Sequence, residues 1–307
     1  MRIVFMGTPD FAVESLRAIL RAGHDVCGVF SQPDKPVGRH QGKLRPTPVK
    51  QCALEYNLPV FQPESVRDGQ ALEQLKQLSP ELIVVTAYGR KLPEEILQLP
   101  SKGCINVHSS LLPKYRGSAP INWAMINGDA VTGVTIMHMA SELDAGDIIS
   151  QAETAIDENE TVEQLHDRLA AMGGELLIQT IEQIRQGTAQ RTPQDPAQVT
   201  YAPMLSRALS PIDWTQPAKA IHDKVRGLIP WPATSTDAFT AEPVKVFHTT
   251  LIPGRSNKEP GAVVKADKEG IDVVCGDGRL VRILELQAPG SRRMAAADYL
   301  RGHPITI

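Results

Sequence analysis

The chain has 307 residues, 42% of them apolar and 22% charged, with a formal net charge of -3. That composition is ordinary for a soluble globular protein, the length leaves room for two domains, and the weak charge excludes a global field drawing the whole surface to nucleic acid or an anionic membrane. The longest apolar runs fall far short of the ~20 residues that span a bilayer, Met1-Arg2-Ile3-Val4-Phe5 enters a strand with no secretory pattern, and Cys27, Cys52, Cys104 and Cys275 are too scattered for a zinc site or a disulfide framework. The expectation is a cytoplasmic protein, monomeric or weakly associating, with no membrane partner and no metal.

Arg2-Ile3-Val4-Phe5-Met6 is a continuous apolar run ending at Gly7, as in a strand buried on both faces. Asp10 can cap a helix carrying Phe11, Ser15, Ala18 and Ile19 on one face, with Gly23 as its stop. Further strands are read at Asp25–Phe30, Val60-Phe61, Leu82–Val85, Cys104–His108 and Gly133–His138, and further helices at Val49–Tyr56 and Leu72–Leu78. Strands alternating with helices imply βαβ units and an α/β, doubly wound, Rossmann-like and mostly parallel sheet. Ligands bind such sheets beyond the carboxyl ends of the strands. Gly7-Thr8-Pro9, Tyr88-Gly89 and Asn106–His108 all fall at such ends. Gly7-Thr8-Pro9-Asp10-Phe11 is not G-x-G-x-x-G, so a dinucleotide site is not expected.

Thr161-Val162-Glu163-Gln164 opens a helix as a capping box, and Gly187 lies just past its end. Residues 1–187 read as one domain, 188–206 as a Thr-, Gln- and Pro-rich linker, and 207–307 as another. Past the linker a helix over Ala218–Leu228 precedes short strands at Val244–Phe247, Gly261–Val264, Ile271–Val274 and Leu280–Leu286. Gly276-Asp277-Gly278 marks a hairpin between the last two. This texture predicts a small OB-like β-barrel. Charge is uneven. The part beyond Ser206 is mildly basic on an acidic body, and Lys35, Arg39, Lys43, Arg45 and Lys50 crowd a window whose one acid is Asp34. That is compatible with a polyanion and equally with a solvated loop.

Asn106 and His108 alternate on one predicted strand, so their side chains point the same way. Two donors converging on one oxygen would stabilise the oxyanion of an acyl transfer, and His108 could also move a proton. Asp144, in Glu142-Leu143-Asp144-Ala145-Gly146-Asp147, could orient the imidazole or take a proton from an amine. By spacing alone, N-x-H on a strand is more often structural, and an Asp in a Gly-containing turn more often a turn former. One His, one Asp and one Asn are a poor zinc set.

Asn106-x-His108, Ser110-Leu111-Leu112-Pro113-x-x-Arg116-Gly117 and Leu143-Asp144-x-Gly146, together with Gly7-Thr8-Pro9-Asp10-Phe11 and Ala87-Tyr88-Gly89, resemble the signature of the 10-formyltetrahydrofolate-dependent formyltransferases. The resemblance implies that Asn106, His108 and Asp144 are catalytic. It implies that 10-formyltetrahydrofolate, as co-substrate, lies against Ser110, Leu111, Leu112 and Pro113, with Tyr88 and Gly89 adjacent. Gln32-Pro33-Asp34-Lys35-Pro36-x-Gly38-Arg39, continuing to Lys50, resembles the basic loop of the members that formylate methionine on initiator tRNA. Ile212-Asp213-Trp214, Pro230-Trp231-Pro232 and Pro243–Val246 resemble their C-terminal half. The implied partners are then initiator methionyl-tRNA and the folate donor, with Lys35, Arg39, Lys43 and Arg45 as tRNA contacts. This loop is about one residue longer than is usual in the family, and Arg90-Lys91 stands where relatives often carry apolar residues.

Overall fold

The computed structural model describes residues 1–37 and 43–307. In chain order its elements are β1 (Arg2–Gly7), α1 (Phe11–Arg21), β2 (Asp25–Phe30), β3 (Lys35–Val37), β4 (Lys43–Arg45), α2 (Pro48–Glu55), β5 (Val60–Phe61), α3 (Gln70–Leu78), β6 (Leu82–Thr86), α4 (Glu94–Leu97), β7 (Cys104–His108) and β8 (Arg116–Gly117). There follow α5 (Pro120–Ile126), β9 (Val131–His138), β10 (Ile148–Ala155), α6 (Val162–Gln186), β11 (Tyr201–Ala202), α7 (Ala218–Gly227), β12 (Thr234–Thr236), β13 (Val244–Arg255), β14 (Val263–Asp267), β15 (Gly270–Val274), β16 (Arg279–Gln287), β17 (Met294–Ala295) and α8 (Ala296–Gly302). Two compact units emerge. Met1–Gly117, Gly133–Thr154 and His166–Tyr201 form the first; Ser118–Thr132, Ala155–Leu165 and Ala202–Ile307 form the second.

The first unit is built on a seven-stranded sheet of order β10-β9-β7-β6-β1-β2-β5. β1 pairs in parallel with β2 and β6, β6 with β7 and β2 with β5, whereas β9 runs antiparallel to β7. Ile3, Val4, Phe5 and Met6 are wholly buried, which is why β1 reads as unbroken apolar sequence. Each such side chain contributes roughly 1.5–3 kcal/mol by leaving water. Asp10 accepts from the Phe11 N–H at 2.9 Å, and α1 buries Phe11, Ala12, Ser15, Leu16, Ala18 and Ile19. The chain leaves β1 towards β2 and β5, then returns to the other side of β1 as β6. That reversal opens a crevice at the carboxyl ends of β1 and β6, where the Thr8 hydroxyl donates to the Tyr88 carbonyl at 3.0 Å.

The capping box forms as predicted: the Thr161 N–H donates to Gln164 Oε1 at 2.8 Å, and the Gln164 N–H to Thr161 Oγ1 at 3.3 Å. At the other end of α6, Gly187 takes φ +73°, the left-handed conformation that stops a helix.

In the second unit β12 to β16 form an antiparallel sheet of order β12-β13-β16-β15-β14, with β17 on β16. Its core gathers Trp214, Ile221, Val225, Val246, Ile271, Val273, Val281 and Ile283. β13 runs far beyond the expected Val244–Phe247. Pro253 breaks the strand pattern in the sequence, but it falls within a register shift between Ile252 and Arg255, where no ladder N–H is needed. The stretch expected as a linker holds a short helical turn, Pro196–Gln198, capped by Asp195, and β11. Several short elements were not anticipated, among them the β3–β4 hairpin, α4, α5, β10, β12, β17 and α8.

His222 on α7 is buried. Its Nε2 lies 3.0 Å from the Glu158 carbonyl and its Nδ1 2.9 Å from Thr249 Oγ1. The carbonyl only accepts, so Nε2 donates and Nδ1 accepts from the hydroxyl, leaving a neutral ring fully satisfied. Burial pushes the His222 pKa below its ordinary value. The folded state then binds fewer protons than the unfolded state, so stability rises with pH across that window. The contribution is complete above about pH 6.5 and is lost as the pH falls below it. The thermal midpoint is therefore expected to drop between about pH 7.5 and about pH 5.5, and calorimetry on His222→Gln should show part of that slope flattened.

Candidate active site

β7 carries two of the three expected catalytic residues. Asn106 lies beside Val85 of β6 and Met137 of β9, and His108 beside Thr135. Both sit at the carboxyl end of the strand, on one face by alternation. The Asn106 carboxamide is half-buried and makes no hydrogen bond to a described residue. His108 is 6% exposed. Its Nε2 lies 2.9 Å from the Tyr115 carbonyl, an oxygen that can only accept, so Nε2 carries the proton of the neutral ring. Nδ1 faces Asp144 Oδ2 at 3.8 Å, beyond hydrogen-bond length. Nδ1 is thus the nitrogen left to take or give a proton.

Asp144 is as buried as the histidine, at 9% exposure. Its Oδ2 accepts from the Gly117 N–H at 2.8 Å. Its other oxygen makes no hydrogen bond to a described residue. The loop is held tightly: Asp144 takes φ +53°, and a Cβ on Gly146 would overlap the His138 carbonyl oxygen. Only glycine lets the loop fold back onto the end of β9. The structure therefore brings His108 and Asp144 face to face, with Asn106 on the same strand.

Ser110 to Pro113 form a loop beside this pair. Ser110 is fully buried, and its hydroxyl donates to the Lys114 carbonyl at 2.7 Å. Thr135 Oγ1 donates to the Ser110 carbonyl at 2.7 Å and accepts from the Leu112 N–H at 3.1 Å, and Gln151 Nε2 donates to the Leu112 carbonyl at 2.9 Å. Leu112 is 3% exposed, whereas Leu111 and Pro113 are part-exposed and available to a ligand. Tyr88 behaves differently. Its ring is 1% exposed inside the core cluster of β1 and β6, and burial pushes its hydroxyl up to about 12. Only backbone is offered there, at Tyr88 and at Gly89 with φ +83°.

The basic window is a β-hairpin, not a bare loop. Lys35 pairs with Arg45, Pro36 with Leu44 and Val37 with Lys43. Lys35 and Arg45 are exposed, directly opposite each other on one face, with no ion pair to a described residue. Lys50 is not free: its Nζ lies 2.6 Å from Asp34 Oδ2 and 2.7 Å from Gln62 Oε1. Lys43 opens the return strand. Arg39 lies outside the described residues. Among the described residues, no group of three or more His, Cys, Asp or Glu could hold a metal, and no helix is long and apolar enough to cross a membrane.

Known proteins settle what this arrangement belongs to. A formyl transferase family model matches residues 1–181, and a formyl transferase C-terminal domain model matches 204–304. A methionyl-tRNA formyltransferase of Moorella thermoacetica is 49% identical over 305 residues, covering 99% of this chain and 97% of its own. One of Trichlorobacter lovleyi is 45% identical over 306 residues, covering 100% and 95%. The chain belongs to the methionyl-tRNA formyltransferase family. A solved N-formyltransferase of Helicobacter canadensis, in complex with folinic acid and dTDP-3-aminofucose, matches with a TM-score of 0.72 at 19% identity, covering 92% of this chain and 98% of its own, and shares its fold.

Several residues around the site of this formyltransferase carry no signal of their own in sequence. Thr135 is one more residue of a strand, Tyr115 acts through its carbonyl, and Gln151 and Gln194 are isolated glutamines. Arg116 stands within the motif but has no expected role there. It is 7% exposed, with Nε and Nη2 at 3.0 and 2.9 Å from Gln194 Oε1.

Proposed function

We propose that this chain transfers the formyl group of 10-formyltetrahydrofolate to the α-amine of methionine esterified to initiator tRNA, in the cytoplasm. The observation that carries the reading is His108 Nδ1 facing Asp144 at 3.8 Å beside an uncommitted Asn106 carboxamide at the carboxyl edge of the sheet. The full-length relatives support the choice of acceptor. The donor set fits a folate. Part-exposed Leu111 and Pro113 offer apolar contact to a flat heterocycle, and the backbone at Tyr88-Gly89 offers polar edges. The folate supplies an activated formyl carbon. Attack by the neutral amine builds negative charge on the formyl oxygen, and the Asn106 carboxamide donates to that oxygen. The free oxygen of Asp144 accepts from the attacking amine. As the bond from the formyl carbon to the amine forms and its bond to the folate nitrogen breaks, Nδ1 of His108, with Nε2 held on the Tyr115 carbonyl, takes up the amine's proton by way of Asp144 and delivers it to the departing nitrogen.

Lys35 and Arg45 stand opposed as like charges, an arrangement that a tRNA phosphate would relieve. Arg39, which lies between β3 and β4 in sequence, extends the same basic run. Exchange of Lys35 and Arg45 for Glu is expected to lower kcat/KM for charged initiator tRNA by about 10- to 100-fold at low salt. The KM for folate should stay within about twofold, and the salt slope should fall by about one for each lost phosphate contact. Incubation of the wild-type protein with methionyl initiator tRNA and 10-formyltetrahydrofolate tests the whole reading. Formylmethionyl-tRNA is the expected product, and its absence would overturn the proposal.

A further inference from the structure

The stretch between α6 and β11 has the composition of a linker, yet it lies along the catalytic loop. Thr192 exchanges two backbone hydrogen bonds with Ile148, at 2.8 and 2.9 Å. Arg191 Nε lies 3.1 Å from Asp147 Oδ2. Two residues beyond that bridge, the Gln194 side chain enters the site. Its Nε2 donates to the Asp144 carbonyl at 2.8 Å and to the Gly146 carbonyl at 2.9 Å. Its Oε1 accepts from Nε and Nη2 of the buried Arg116 guanidinium, whose Nη1 lies 3.4 Å from Glu142 Oε1.

We propose that Gln194 is a positioning residue that clamps the 142–147 loop and sets where the Asp144 carboxylate meets His108. This rests on the reading of Asn106, His108 and Asp144 as the formyl-transfer trio. The chemistry singles out glutamine. One end of the amide meets two carbonyls and must be the NH2, while the other meets a guanidinium and must be the oxygen. Both ends are thus determined, and no flipped orientation satisfies the site. Glutamate keeps the Arg116 contact but sets an oxygen against two carbonyl oxygens. Asparagine is one methylene too short to bridge both partners. Other contacts hold the loop at Asp147 and Ile148, whereas Gln194 holds it at the Asp144 and Gly146 carbonyls. Asp144 sits at φ +53°, a conformation that costs a non-glycine residue free energy unless its surroundings impose it. Releasing the Asp144 and Gly146 carbonyls lets the residue relax, and the carboxylate moves relative to Nδ1.

A displacement of about 1 Å at a reacting group lowers a rate by up to about 100-fold. Gln194→Ala and Gln194→Glu should each lower kcat by about 10- to 100-fold, with KM for folate and for tRNA within about twofold; Gln194→Ala should also lower the thermal midpoint, because the buried Arg116 guanidinium loses its acceptor, while the protein stays folded at the assay temperature. Gln194→Glu is the decisive variant because it preserves the bond to Arg116 and replaces the clamp's two hydrogen bonds with oxygens facing oxygens. Wild-type kcat in Gln194→Glu would overturn the proposal, as would a loss in both variants that follows a fall in folded protein. A wild-type enzyme that makes no formylmethionyl-tRNA would defeat the functional reading instead, so the two failures are distinguishable.

Discussion

Asn106→Ala is expected to lower kcat by about 10²- to 10³-fold, which corresponds to about 3 kcal/mol of barrier, the usual cost of one lost oxyanion donor. The expectation follows from what surrounds the side chain. The Asn106 carboxamide makes no hydrogen bond to a described residue, so its removal leaves no protein group unpaired and should cost little stability. His108 differs, because its Nε2 is already committed to the Tyr115 carbonyl. The burden of meeting the new charge therefore falls on Asn106, and affinity for either substrate should change by less than about threefold. Single-turnover kinetics on preformed ternary complex measures the effect directly. If turnover in Asn106→Ala stays within about threefold of wild type, Asn106 is not the oxyanion donor. Asn106→Asp should be at least as damaging, because it aims negative charge at the same oxygen.

The largest stability effect is expected in the second unit. Arg226 is 6% exposed and Asp223 2% exposed. Nε and Nη2 of Arg226 reach Asp223 Oδ1 at 2.9 and 2.7 Å, and Nη1 reaches the Asp157 and Glu160 carbonyls at 2.8 and 3.0 Å. Lys219 Nζ lies 2.5 Å from Asp223 Oδ2. Asp223→Ala would leave a buried guanidinium without its counter-charge, at a cost of roughly 3–5 kcal/mol. Denaturant unfolding should show this as a lower midpoint. The double variant Asp223→Ala/Arg226→Met should recover part of the loss, because an apolar side chain needs no counter-charge. No recovery would mean that the hydrogen bonds to Asp157 and Glu160, rather than the ion pair, carry the stability.

Legibility in the sequence followed burial. β1 is wholly buried and reads as an unbroken apolar run, and α1 shows its buried face in the spacing of Phe11, Ser15, Ala18 and Ile19. α6 announced both ends through Thr161 and Gly187. The missed elements had weaker patterns. In β10 only Ile149 is buried, and the sequence IISQAETA has too few apolar positions to read as a strand. The window of the β3–β4 hairpin carries Pro36, two glycines and six charged or polar residues, so it read as an extended loop. α5 begins at Pro120 and spans seven residues, too short to display a period. Within the site, Asn106 and His108 were readable because alternation on a strand is local.

The sequence by itself determined the class of sheet, the strand ends that face a ligand, the family motif and the basic run from Lys35 to Arg45. Those features depend on neighbours two to four residues apart, and local spacing records them. Only the tertiary structure decided that Asp144 meets His108 across 36 positions, that Nε2 is spent on Tyr115, that Lys50 is neutralised by Asp34 while Lys35 and Arg45 are not, and that a glutamine in an apparent linker grips the loop that carries Asp144. Each of these is a contact between segments distant along the chain. Their partners are brought together by sheet order and loop closure, for which single residues such as Gln194 and Asp144 carry no local pattern.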